Sequence, residues 1–372
     1  MRSLKVLLMT THLDTGGIPV YVVELARGLK QVGHVPVVIS DSGWMRKRLA
    51  EEGITHYQVP CRTSSELNPK LWFRVFPALF RILRREKPDL LHAHTRIMQV
   101  LARGLNLLTG IPFVTTCHGL YKFRIGRRMF RCWGNTVMAI SVPSMERLVD
   151  QYKLAPPHQV SLVVNGVDVN YFSKPASQKE IEAFCQVNGL TGDPVIGGIA
   201  RLSPIKGFDY FLKAIPVLLK DYPNLQVLLV GDGPDREKLI QLAYSLGLES
   251  RVILSHPVRD TRIPLAAMQV FVAPALEEGF GLSIVEAMAA GVPVVSSNVG
   301  GPASIIEEGR SGYLVPPEDP EALARGVDRI LRDPQGRIRI IQAAKERAGQ
   351  HFDMKRVVSQ VEEVYATELG GA

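Results

Sequence analysis

Val270-Phe-Val-Ala-Pro-Ala-Leu-Glu-Glu-Gly-Phe-Gly-Leu-Ser-Ile-Val-Glu-Ala-Met-Ala-Ala-Gly-Val-Pro-Val-Val295 is the stretch that decides the fold. It reads as a short β-branched strand, a glycine loop, a helix beginning near Ser283, and a second strand. Strands that are apolar throughout are buried on both faces, which is the habit of parallel sheets with helical crossovers. The same alternation runs through the second half at Val195–Ile199, Val227–Val230, Val252–Leu254, Val270–Val272 and Val292–Val295. The first half repeats it at Leu4–Met9, Val35–Ile39, Leu90–His92, Phe113–Thr116 and Val137–Ile140. Two such sets predict an α/β chain of two doubly wound, Rossmann-like domains facing across a cleft. The length of 372 residues suits two domains. Lys174-Pro-Ala-Ser-Gln-Lys-Glu180 has a linker's composition, so residues 1–175 and 176–353 are expected to be the two bodies.

Composition narrows the class. Hydrophobic residues make up 46% and charged residues 22%, as in an ordinary globular protein. No apolar run reaches the roughly 18 residues needed to cross a bilayer. Met1-Arg-Ser-Leu-Lys-Val-Leu-Leu-Met-Thr10 carries cations before a short apolar run, as a leader does. Its sequel is a poor cleavage region, however, so it reads as a first strand and the chain as cytoplasmic. Cys61, Cys117, Cys132 and Cys185 show no CxxC spacing, which argues against a zinc cluster or a disulfide framework. Charge is uneven: 24 Lys and Arg face 11 Asp and Glu in residues 1–175, against 20 and 25 in the remainder. A basic first half points to an anionic partner.

In doubly wound sheets ligands bind outside the carboxyl ends of the strands, where helix N-termini and loop amides converge. Four segments occupy such positions. In Glu278-Gly-Phe-Gly-Leu-Ser-Ile-Val-Glu286, Gly279 and Gly281 let the backbone approach an anion, and Glu278 and Glu286 suit paired sugar hydroxyls. A second reading stays open, because Ser283 to Glu286 also matches a capping box. Arg201 and Lys206, in one strand-to-helix loop, match a diphosphate, or are simply solvated. Gly16-Gly17, before Pro19, bares the amides of a helix start, or is only a tight turn. His92-Ala-His94 and His118-Gly119 each follow a strand, and His118 is placed to touch a substrate or to serve as a bonded structural histidine. No third ligand accompanies the HxH pair, so no metal is expected. G-x-S-x-G, a Walker lysine loop and G-x-G-x-x-G are absent, which disfavours serine hydrolases, NTPases and nicotinamide enzymes.

Taken in order, these segments resemble the retaining glycosyltransferases of the group-1 class (family 4), which have the GT-B architecture. The likeness runs through Gly16-Gly17, Leu91-His-Ala-His94, Thr116-Cys-His118-Gly119, Ala139-Ile-Ser141, Val164-Asn-Gly-Val-Asp168 and Arg201…Lys206-Gly207. It continues through Val230-Gly-Asp-Gly-Pro234, Glu278…Glu286, Gly300-Gly301 and Gly309-Arg-Ser-Gly312-Tyr-Leu-Val315. By resemblance, Arg201 and Lys206 bind the donor diphosphate and Glu286 holds the ribose hydroxyls. Glu278, with the amides of Gly279, Phe280 and Gly281, faces the donor sugar and its phosphate. His118 contacts the transferred sugar, and Gly16 and Gly17 close on the donor phosphate. The first domain takes the acceptor, the second the nucleotide sugar, and a last helix over about 354–372 returns to the first. No cofactor is implied. One departure is Ser304, where the family's pattern has Glu.

Lys70-Leu-Trp-Phe-Arg-Val-Phe-Pro-Ala-Leu-Phe-Arg-Ile-Leu-Arg-Arg-Glu-Lys87 and Lys122-Phe-Arg-Ile-Gly-Arg-Arg-Met-Phe-Arg131 interleave cations with aromatics. That pattern suits an anionic membrane surface and a lipid-linked or lipopolysaccharide-type acceptor, with the protein peripheral on the inner face. It equally suits a solvated helix with its apolar side in the core. Two further functions compete: a sugar-nucleotide epimerase, and a non-catalytic sugar-nucleotide-binding protein. Nucleic acid is not expected as a partner, since no RNA- or DNA-binding motif is present.

Overall fold

The computed structural model describes residues 2–370 apart from 15, 64, 67, 121–130 and 192. The second basic stretch, Lys122 to Arg131, therefore lies almost wholly outside the described residues. The chain divides into two compact units, Met1–Asn165 with Met354–Ala372, and Gly166–Asp353.

Seven parallel strands build the first unit: β1 (Lys5–Met9), β2 (Val35–Ser40), β3 (Thr55–Gln58), β4 (Leu90–Ala93), β5 (Phe113–Cys117), β6 (Val137–Ala139) and β7 (Val160–Leu162). Their order is β3-β2-β1-β4-β5-β6-β7. Alternation along β1 sends Val6 and Leu8 to one face and Leu7 and Met9 to the other, and all four are fully buried. The first face packs on helices Gly17–Gln31 and Met354–Glu368, the second on helices Phe76–Glu86 and Arg96–Thr109. Two covered faces explain the uninterrupted apolar strand.

Helix Met354–Glu368 belongs to this unit because Met354, Val357, Val358, Val361, Val364 and Tyr365 form one stripe at helical spacing, and every one is buried in the first core. Polar bonds fix its register: His34 Nε2 lies 2.9 Å from Glu362 Oε1, and the Thr136 hydroxyl donates to Glu368.

Six parallel strands build the second unit: β8 (Val195–Ile199), β9 (Gln226–Val230), β10 (Val252–Ser255), β11 (Val270–Ala273), β12 (Val294–Ser297) and β13 (Tyr313–Val315), in the order β10-β9-β8-β11-β12-β13. Helices Phe208–Leu218 and Pro320–Arg332 cover one face through Phe211, Leu212, Ile215, Leu323, Val327 and Ile330.

The division falls at Asn165, ahead of the 175/176 boundary that composition suggested. Residues 166–176 are tied into the second unit. Val167 N donates to Phe352 O at 2.9 Å, Asp168 caps the short helix Val169–Phe172, and the Arg262 guanidinium lies 3.8 Å over the Tyr171 ring. Three strands are additional to those expected from the sequence: β3, β7 and β13. Each is an edge strand, with one side unpaired and less of its surface buried. Among the described residues no helix is long and apolar enough to cross a membrane.

Candidate active site

Each sheet reverses its strand order once, between β1 and β4 and between β8 and β11. The sequence candidates lie on the loops after the strands at these switch points, or after β5 beside one, where strand ends diverge and leave backbone amides exposed.

In the second unit the loop after β8 carries Arg201 and Lys206, and the loop after β11 carries Glu278 to Gly281. Gly207 brings the two loops together. Its φ is 64°, and a Cβ there would sit 2.0 Å from the Pro274 carbonyl oxygen, so no other residue permits this approach. The approach lets the Lys206 ammonium donate to the Glu278 carboxylate, each side chain being 23% exposed. Glu278 also accepts from the Gly279 amide at 3.1 Å, and its carbonyl accepts from Gly301 N at 2.9 Å. Arg201 is exposed and makes no ion pair among the described residues.

Helix Leu282–Ala290 starts one residue earlier than expected, with Gly281 as its cap residue, and Ser283 lies inside it. The capping box therefore does not form, because Ser283 is past the cap position and no side chain caps this helix. Glu286 is instead buried at 8% exposure and accepts from Thr261 Oγ1 at 3.0 Å. Among the described residues the amides of Phe280, Gly281, Leu282 and Ser283 have no backbone acceptor. Four N–H groups at the positive end of a helix, beside Lys206, make an anion cradle. The Phe280 side chain takes no part, being buried against the Phe352 ring at 5.8 Å between centroids. Ser304, the departure from the family pattern, donates to the Gly301 carbonyl at 2.7 Å. Lys206, Phe208, Glu278, Gly281, Ser283 and Pro302 line one recess.

In the first unit Gly16 and Gly17 are exposed at the start of helix Gly17–Gln31, with Gly16 as its cap residue at φ 132°. His118 follows β5, His92 lies within β4 and His94 directly follows it. His94 Nδ1 lies 3.1 Å from His118 Nε2, and the Tyr21 ring stands edge-on to His118 at 4.8 Å. His92 is closed at both nitrogens, 2.7 Å from Tyr365 Oη and 2.7 Å from Thr116 Oγ1. Burial lowers His92 and His118 to about 3 and His94 well below the usual histidine range, so all three imidazoles are neutral. Tyr21, Thr261 and Tyr365 were missed in the sequence. They lie far along the chain from the motifs they serve, and nothing local marks them.

Comparison with known proteins places these features in a family. Residues 177–347 match the model for Glycosyl transferases group 1, and residues 15–171 that for Glycosyltransferase Family 4. The chain is 30% identical to a D-inositol 3-phosphate glycosyltransferase of Frankia alni, over 90% of each chain. It is 25% identical to N-acetyl-alpha-D-glucosaminyl L-malate synthase of Bacillus anthracis, over 96% of this chain and 95% of that one. The crystal structure of Anabaena HepE with UDP-glucose is similar in fold, with a TM-score of 0.85 and 23% identity over 98% of this chain and all of that one. Neither the epimerase nor the non-catalytic reading finds support among them.

Proposed function

The chain belongs to the group 1 glycosyl transferases, with two Rossmann-like domains of the GT-B fold, and from that premise we propose the finer reaction. It moves a sugar from a nucleotide-diphosphate sugar to a lipid-linked or cell-envelope glycan acceptor, with retention and without a metal. The observation that carries this reading is the juxtaposition, in the second unit, of Lys206, Glu278 and the unbonded amides from Phe280 to Ser283.

Arg201, Lys206 and those amides hold the diphosphate. Glu286, steadied by Thr261, accepts the ribose hydroxyls, and Glu278 accepts from the sugar. His118 contacts the transferred sugar, and Gly16 and Gly17 close on the donor phosphate. As the bond from the anomeric carbon to the diphosphate breaks, negative charge grows on the leaving oxygen beside Lys206. Groups fixed in place to stabilise such developing charge usually lower the barrier more than anything else a site supplies. The acceptor oxygen attacks from the same face, and its proton passes to the leaving phosphate.

Incubating the protein with UDP, GDP and ADP, then with their sugars and candidate acceptors, tests this reading. One nucleoside diphosphate should raise the Tm. Transfer should then keep the donor's anomeric configuration and survive a chelator. Stabilisation by no nucleoside diphosphate, or an epimerised sugar without acceptor, would overturn it. The names of two relatives favour a second reading, in which the acceptor is a small anion such as a sugar-alcohol phosphate or a dicarboxylate. Product formed with a soluble anionic acceptor, and none with a lipid-linked one, would select it.

The lipid-facing part of the proposal rests on the first unit's surface. Leu71, Val75, Leu79 and Leu83 turn into the core, as the solvated-helix reading requires, yet Trp72 and Phe73 point outward at 40% and 82% exposure. Trp72 lies near Gly104, one turn from Leu107 and Leu108, which are 69% and 66% exposed. Exposed cations at Lys70, Arg74, Arg81, Arg84 and Arg85 accompany these apolar side chains. Apolar tips among cations suit the interface of an anionic bilayer, with the protein on the cytoplasmic side.

A further inference from the structure

His94 and His118 of the first unit are held so that only one arrangement of their protons is cheap. A neutral imidazole has one N–H and one lone pair. His94 Nδ1 faces His118 Nε2 at 3.1 Å, while His94 Nε2 is buried with no hydrogen-bond partner. Were the His94 proton on Nε2, a buried N–H would have nothing to bond, whereas a proton on Nδ1 leaves only a buried lone pair. Orphaned buried donors are the rarer and costlier of the two. His94 therefore donates from Nδ1, and His118 Nε2 must receive. The proton of His118 is thus left on its own Nδ1, which makes no hydrogen bond among the described residues but belongs to a partly exposed residue, unlike the closed-in Nε2 of His94. Tyr21 packs against both rings, its centroid 4.8 Å from His118 and 5.8 Å from His94.

We propose that His94 is a positioning residue that fixes His118 as its Nδ1–H tautomer, so that His118 meets the transferred sugar as a hydrogen-bond donor. This rests on the reading that puts His118 at that sugar. It also gives His118 a limit: with its lone pair engaged by His94, it does not take the proton of the acceptor hydroxyl. The ligand it selects carries an oxygen, a hydroxyl or a ring ether, where Nδ1–H points.

Nitrogen NMR of the whole protein labelled with 15N-histidine reads the tautomer directly. His118 should be protonated on Nδ1 at pH 7 in the wild type. His94→Asn, whose amide nitrogen can take the place of Nδ1, should keep this state and most of the turnover. His94→Leu should lose the preference and lower kcat about 10-fold or more with little change in KM, the order seen when a histidine's orienting partner is removed. His118 protonated on Nε2 in the wild type overturns the proposal, as does His94→Leu with unchanged tautomer or unchanged kcat. If His94→Leu does not fold, loss of turnover in His94→Asn with the tautomer intact overturns the positioning role instead. A wild type with Nδ1–H that turns over no nucleotide sugar overturns the transfer reading and leaves the tautomer assignment standing.

Discussion

Lys206 and Glu278 lie 72 positions apart, and each is legible in the sequence as a motif residue. Their pairing is not legible there, because it depends on how close Gly207 lets two loops come. The pair is partly exposed, so it adds little to stability, on the order of 1 kcal/mol or less. Lys206→Ala is therefore expected to leave the Tm nearly unchanged and to lower kcat by about 100- to 1,000-fold, the cost of removing one group that stabilises developing negative charge. Unchanged turnover would remove Lys206 from the diphosphate. The histidines give a second prediction at this scale. His92 and His118 have folded pKa values of about 3, below the ordinary 6.5, so the unfolded chain binds their protons first. Their contribution is complete above about pH 6.5 and is lost as pH falls through the window from 6.5 to 3. The slope is about 1.4 kcal/mol per pH unit for each histidine protonated on unfolding. Urea midpoints followed by tryptophan fluorescence should fall between pH 7 and pH 5, and His92→Gln should make that fall shallower.

At the scale of elements, the helix Gly17–Gln31 is expected from its apolar pattern, and the helix at Met354 from its stripe. What packs them together is not visible in either. A Cβ on Gly28 would sit 2.3 Å from Val358 Cγ2, so the two helices touch where one has no side chain. Gly28→Ala gains about 1 kcal/mol of helix propensity, but it pushes on a branched side chain with one favoured rotamer. The cost of overpacking, about 1–3 kcal/mol, should win. Gly28→Ala is expected to lower stability to denaturant, and Gly28→Ala with Val358→Ala to recover part of it. Simple addition of the two single effects would disprove the contact. The edge strands β3, β7 and β13 escape a reading by sequence pattern for a related reason, since they take their identity from a neighbour's hydrogen bonds more than from their own hydrophobicity.

At the scale of the molecule, the first unit is discontinuous: residues 354–372 belong with residues 1–165. Ending the chain at Asp353 would expose the first-core partners of Val357, Val361 and Tyr365 and leave His92 Nδ1 unbonded. Such a truncation is expected to unfold or strongly destabilise the first unit, while the second still shows a nucleotide-dependent thermal shift. Loss of both transitions together would contradict the division. The membrane reading also belongs here. The protein should sediment with anionic vesicles at low salt and release at high salt, and Trp72→Ala with Phe73→Ala should weaken the binding that salt leaves. No binding to anionic vesicles at low salt would rule out this surface. By itself the sequence determined the fold class and the two parallel sheets, because buried parallel strands must be apolar throughout. It also determined the family, through the order of weak motifs over most of the chain. Only the tertiary structure decided that Glu286 bonds Thr261 in place of capping its helix, that the boundary falls at Asn165, and that His94 stands between His92 and His118. Those outcomes depend on distances between residues far apart in the chain, which local propensity and spacing do not encode.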